Sequence, residues 1–253
     1  MKLSKKLIMV TVMIGAAAMA FAQAQSVQKK SNSSNSSNNE TYVENEYLND
    51  IDTEIIIGLA EADDLDTKLV ALQYINDAIE EGNTSEGVIK ALDTLAGEGV
   101  LSESRTNGRK VNNFPEVRRQ ACLLMAKVPT EHTKNQLINI MVAEDEPMVL
   151  SAAVQSLGII NPENTSEVIE AISWINKRNA ALNPTSSLAW QVVDTYEKLA
   201  PNADNRTMRV ISGSLTEIAG NYRYTTPVRD KAKSLLKKLS NSSSGKNSKS
   251  DEK

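Results

Sequence analysis

Three helical runs of apolar residues open at Val149, Leu188 and Val228, with steps of 39 and 40 residues between them. Independently, the tetrapeptide Asn-Thr-Ser-Glu occurs at Asn83 and again at Asn164, an offset of 81 residues, or two units of about 40. Two unrelated signals thus give one period. A period of this length reuses one small supersecondary unit along the chain. Such a unit cannot bury its own apolar face and has to stack on its neighbours.

Inside each unit the apolar spacing is helical. Val117, Ala121 and Leu124 fall on one face, as do Val149, Ala153 and Leu157, then Leu188, Val192 and Tyr196, then Val228, Ala232 and Leu235. No alternating strand pattern and no convincing hairpin turn is read. Aromatic residues make up only 4% of the chain against 40% apolar overall, so Leu, Ile, Val and Ala must fill the core, which suits stacked amphipathic helices. The expected core includes Val117, Ala121, Val149, Ala153, Val228 and Ala232, with Cys122 as a small buried apolar residue. Pro115, Pro147 and Pro227 mark helix starts, where a missing N–H is harmless. Asn83 and Asn164 offer capping oxygens, each followed three residues on by an acid (Glu86, Glu167). Gly82, Gly97 and Gly158 are expected where helices stop.

The helix beginning Phe114-Pro115-Glu116-Val117-Arg118-Arg119-Gln120-Ala121 resembles the second helix of a HEAT repeat. So do Glu146-Pro147-Met148-Val149 running to Ala153, and Thr226-Pro227-Val228-Arg229-Asp230-Lys231-Ala232. Asp64 to Ile75 is a looser match, with Lys68 and Ala71 in the corresponding places, and Asn183-Pro184 to Tyr196 is looser again. The resemblance implies an all-α fold: a right-handed α-solenoid of about five helical hairpins, drawn at 48–82, 83–128, 131–160, 164–200 and 203–239. Leu150 and Ala189 stand where the family has Arg, and an insertion around Gly99 to Asn113 interrupts the second unit. In such repeats Arg118 and Arg229 would pair with acids and carbonyls of the adjacent unit; the alternative is that they meet a partner.

The repeat body spans 42–240. Before it, residues 1–24 read as a cleavable secretory signal: Lys2, Lys5 and Lys6, an apolar run from Leu7, then Ala20-Phe21-Ala22. No Cys stands near that site to take a lipid, so an exported protein, periplasmic or secreted and not a lipoprotein, is expected. A Ser/Asn-rich linker (25–41) and a polar tail (241–253) are too polar to form a core and are expected to be disordered.

Groups able to carry out catalysis are scarce. His132 is the single histidine and Cys122 the single cysteine, with no metal-ligand spacing around either. No phosphate-binding Gly loop or nucleophile motif occurs. Glu61, Asp63, Asp64 and Asp66 cluster, as do Glu144, Asp145 and Glu146, but neither run follows a calcium-loop pattern and both fall between helices, where caps are expected. No cofactor, no metal and no enzyme activity are therefore expected.

Charge is polarised along the chain. Residues 40–104 hold 17 acids and 2 bases; residues 201–253 hold 5 acids and 11 bases. Without the signal the balance is 25 bases to 32 acids, which argues against nucleic acid. The expected function is a protein-binding scaffold or adaptor of the cell envelope, whose partner is basic or charge-polarised. Arg118, Arg119, Trp190 and Arg229 are the candidate contact residues. The alternative is an envelope structural protein, self-associating head to tail or resting its basic helix on anionic lipid or wall.

Overall fold

The computed structural model describes residues 50–247, with side chains through 241. The expected signal (1–24) and linker (25–41) lie outside the described residues. The fold is all-α. Helix α1 covers 50–60. It is followed by α2 (Leu65–Glu80), α3 (Glu86–Gly97), α4 (Pro115–Met125), α5 (Glu131–Ala143) and α6 (Pro147–Ile160), then α7 (Thr165–Leu182), α8 (Ser186–Leu199), α9 (Asn205–Gly220) and α10 (Thr226–Asn247).

From α4 onward each helix packs on the helix before it and on the one before that. The even-numbered helices therefore form one row (α2, α4, α6, α8, α10), and α3, α5, α7 and α9 form another. Buried aliphatic residues from all of them merge into one core. Val117, Ala121, Val149, Ala153 and Ala232 are fully buried and Val228 nearly so, as their spacing predicts. Cys122 is buried among them.

The helix starts follow local chemistry. Pro115 and Pro147 sit at the first position of α4 and α6. Asp64 and Asp204 cap α2 and α9, each carboxylate accepting from the backbone N–H three residues on (Thr67, 2.8 Å; Thr207, 2.7 Å). Those bonds hold both carboxyls below their ordinary range. Gly82 ends α2 with φ +87°.

Three expectations need correction. Gly158 is not a stop. It lies inside α6, where a Cβ would come within 3.0 Å of Thr195 on α8, so its role is close packing between helices. Asn161, left-handed at φ 44°, ends that helix instead. Second, the insertion does contain a hairpin. Strands β1 (Arg105–Thr106) and β2 (Arg109–Lys110) pair antiparallel around Asn107-Gly108, both with positive φ. Third, the polar tail does not begin at 241, because α10 continues to Asn247; an established helix extends at one backbone hydrogen bond per residue, even through Ser and Asn.

The two Asp caps set a pH dependence. Their folded carboxyls ionise below the ordinary value of 3.8, so their stabilisation is present above that pH and is lost as pH falls through the lower folded values. Acid unfolding followed by circular dichroism should therefore be flattened in the Asp64→Asn, Asp204→Asn double variant. An unchanged acid limb would show that the caps contribute nothing.

Candidate protein-docking face

The even-numbered helices share a stripe of side chains that the core does not use. On α6 it runs through Met148, Ser151, Gln155 and Ile159, at steps of three and four; Met148 and Ile159 are exposed. On α2 it carries Val70, Gln73 and Asp77, with exposed Tyr74 at its border. Between α2 and α4 lies a cleft of about 330 Å³ floored by Leu72, Leu123 and Leu124 and rimmed by Gln73, Asp77 and Gln120. Lys127 ties the two helices together at one end, donating to Asn76 Oδ1 and Glu80 Oε1, both at 2.6 Å.

Trp190 belongs to this stripe. It lies two residues past the buried Leu188 and is 40% exposed. One ring face is covered by Lys231 of α10, whose Nζ stands 3.8 Å from the ring centroid and also pairs with Asp194. The indole is thus held in place while its other surface meets solvent. Arg119 occupies the equivalent position on α4. Its half-exposed guanidinium pairs with Glu116 at 3.2 Å.

Arg118, one residue earlier, is 1% exposed and turned inward. Its Nε donates to Glu144 Oε2 at 2.6 Å and its Nη2 to Oε1 at 3.3 Å. Nη1 donates to the Glu98 carbonyl (3.2 Å) and to Asn113 Oδ1 (3.0 Å), so one guanidinium clamps both ends of the insertion. Glu144 in turn accepts from the N–H groups of Asp145 and Glu146. With every guanidinium nitrogen bonded and its surface covered, Arg118 has no face to offer a partner. It leaves the docking set and takes the inter-unit pairing.

Lys68 makes the same connection one unit earlier. It donates to the Ala60 carbonyl (2.9 Å) and pairs with Glu98 Oε1 (2.9 Å). Burial pushes the Glu98 carboxyl above its ordinary range, against the opposing pull of Lys68. Gly99, next to Glu98, has φ +75°, and a Cβ there would come within 2.4 Å of the Asn112 carbonyl; only glycine fits the base of the insertion. Arg229, the corresponding residue of α10, is half-buried and reaches Thr226 Oγ1 at 3.1 Å.

The single histidine and the single cysteine each have a defined setting. His132 pairs with Asp93 at 2.6 Å on an exposed surface. The Cys122 thiol is pushed up to about 12, first by burial and then by the charge of Glu144, so no thiolate is available. Among the described residues no three His, Cys, Asp or Glu side chains converge, and no helix is long and apolar enough to cross a membrane.

Three exposed aromatics among the described residues, Tyr74, Trp174 and Tyr222, are not singled out by the sequence reading. Trp174 of α7 is 48% exposed and stacks on Arg178 at 4.9 Å, which also donates to the Val142 carbonyl of α5. Its signal was available, since Trp174 stands two residues off the Val168, Ile172, Ile175 line. No family model, curated protein or solved structure matches the chain.

Replacing Arg118 by Met should destabilise the fold by about 3–5 kcal/mol, because Glu144 would be left buried and charged without its partner. Adding Glu144→Gln should restore much of that loss. Urea unfolding of the two single variants and the double decides it, and additive losses would mean that the pair is not coupled.

Proposed function

We propose that the chain is a right-handed α-solenoid of five HEAT-like hairpins and serves as a non-enzymatic, exported scaffold. Its place is the periplasm or beyond, without a lipid anchor. It holds a protein partner on the row of even-numbered helices.

The repeat reading is supported by the sequence separations of the side-chain bonds between helices that are not successive. Glu170 and Arg206 are 36 apart, Asn176 and Ser214 are 38, His132 and Asp93 are 39, and Thr195 and the Val154 carbonyl are 41. Glu197 and Lys238 are also 41 apart. Separations gathered near 40 in contacts of different chemistry are what stacked units of similar length produce. Lys134–Glu167 and Ser156–Cys122, at 33 and 34, reflect shorter units, and Glu80–Lys127, at 47, spans the insertion.

The observation that carries the docking reading is Trp190: a large aromatic that is 40% exposed yet fixed by a cation from the next even-numbered helix. A rigid, half-exposed aromatic adds contact area at little further entropic cost, the property of residues that dominate interfaces. The acids of α2 and the lysines of α10 lie at opposite ends of the same row, which favours a partner that is itself charge-polarised, its basic patch toward the N-terminal half.

Affinity purification from the native envelope with the full chain tests this. Trp190→Ala, shown to be folded, should reduce recovery of the enriched protein about tenfold or more, and high salt should weaken it further. Equal recovery with the variant would remove the even-numbered row as the docking site.

A further inference from the structure

Each buried cation of the even-numbered row reaches the residue that ends the next odd-numbered helix. Lys68 of α2 takes Glu98, which follows α3, and Arg118 of α4 takes Glu144, which follows α5. The corresponding positions on α6 and α8 are Leu150 and Ala189, and the residues ending α7 and α9 are Asn183 and Asn221. Where the cation is missing the acid is missing too. The rule therefore concerns the pair, not either residue alone.

Two members are left over, one at each end. Arg229 holds the cation position on α10, after which no further odd-numbered helix follows among the described residues. Its Nε is shielded from solvent with no acceptor, although Nη2 reaches Thr226. At the other end Glu61 follows α1 as Glu144 follows α5. Its N–H donates to the carbonyl four residues back (Ile57, 3.0 Å), as that of Glu144 does (Ile140, 2.9 Å). The Glu61 side chain is exposed.

The ends match in their surroundings as well. Helix α1 presents Ile51 and Ile55, 40% and 45% exposed, beside Asp50 and Glu54. The last helices, α8 to α10, leave a crevice of about 910 Å³ with an apolar floor that includes Met208, Leu236 and Leu239, and Lys237 at its rim.

We infer that a second copy of this chain docks head to tail, its α1 end against the α9–α10 end of the first, with Glu61 of one copy on Arg229 of the other. The contact repeats the joint that the chain already makes twice within itself. It is heterologous, so each copy keeps one free end of each kind and assembly continues into chains or closed rings. It uses only the Arg229 end of the even-numbered row and not the outer stripe around Trp190, so Trp190→Ala should leave it unchanged.

Sedimentation of the full chain across a wide range of concentration and salt tests this. At low salt the mass should rise beyond a dimer with concentration, and added salt should reverse it. Arg229→Glu and Glu61→Arg should each weaken self-association about tenfold or more, whereas an equimolar mixture of the two variants, and the chain carrying both, should recover it. Circular dichroism checks the fold, and Arg229→Gln with Glu61→Gln gives the same test should a reversal unfold the chain. Several results would each overturn the inference: a monomer at every concentration in low salt, a closed two-fold dimer, association indifferent to both reversals, or reversals that the mixture and the double variant fail to rescue.

Discussion

Burial of a single apolar face per helix, shared with the two helices before it in the chain, is what everything else in this protein rests on. A helix with one apolar face cannot cover it alone, and here the neighbouring helices of the two rows cover it. Small residues at the middle of the even-numbered helices make the approach close enough. Ala121, Ala153 and Ala232 are fully buried, and Gly158 admits Thr195 at a distance a larger residue would not allow. A core built this way fixes the position of each helix relative to its neighbours and leaves the outer stripes chemically free.

The buried joints made by the even-numbered helices are of two kinds, and the difference follows the sequence. In the N-terminal half they are ionic and buried: Lys68 with Glu98, and Arg118 with Glu144. In the C-terminal half a hydroxyl from one even-numbered helix bonds a carbonyl of the preceding one, Ser156 to Cys122 and Thr195 to Val154. A buried ion pair adds little net stability over an apolar substitute but makes its partners indispensable to one another. The ionic joints also do what a hydroxyl could not. The insertion lengthens the second unit by an irregular segment, and Arg118 holds its two ends, at Glu98 and Asn113, at a distance compatible with continued stacking.

The aliphatic spacing made the helices and the core readable, because each local choice agreed with the packed structure. The residues that surprised did so for physical reasons. Glu144 looked like a solvated cap and Glu98 stood out in no way; their burial depends on cations 26 and 30 positions away, which no local pattern reveals. Gly158 carries the composition of a helix stop, yet its missing Cβ serves a neighbouring helix rather than a turn. The Asn107-Gly108 hairpin had its turn dipeptide in plain view, but strands of two polar residues offer no alternation to support it. Trp190 and Trp174 sit off their helices' apolar lines by the same two residues, so the offset that singled out one applied equally to the other. Of the four arginine and tryptophan positions expected to meet a partner, Arg119 and Trp190 reach the surface of the even-numbered row, Arg118 is enclosed, and Arg229 stands at the end.

The charge polarity so plain in the sequence is less simple on the surface. Several cations of the last hairpin are spent holding it to the one before: Lys231 on Asp194 and Trp190, Lys238 on Glu197, and Arg206 on Glu170. The acids of α1 and α2 have few cations nearby to neutralise them, since the bases of that half are scarce and Lys68 is buried on Glu98. The field felt at a distance therefore comes more from the acidic end than from the basic one. A partner approaching along the even-numbered row would be steered by carboxylates and then held by side chains such as Trp190 that are already immobile. On the proposed docking reading, steering and holding would fall to different residues, and a change that alters the rate of encounter need not alter the lifetime of the complex.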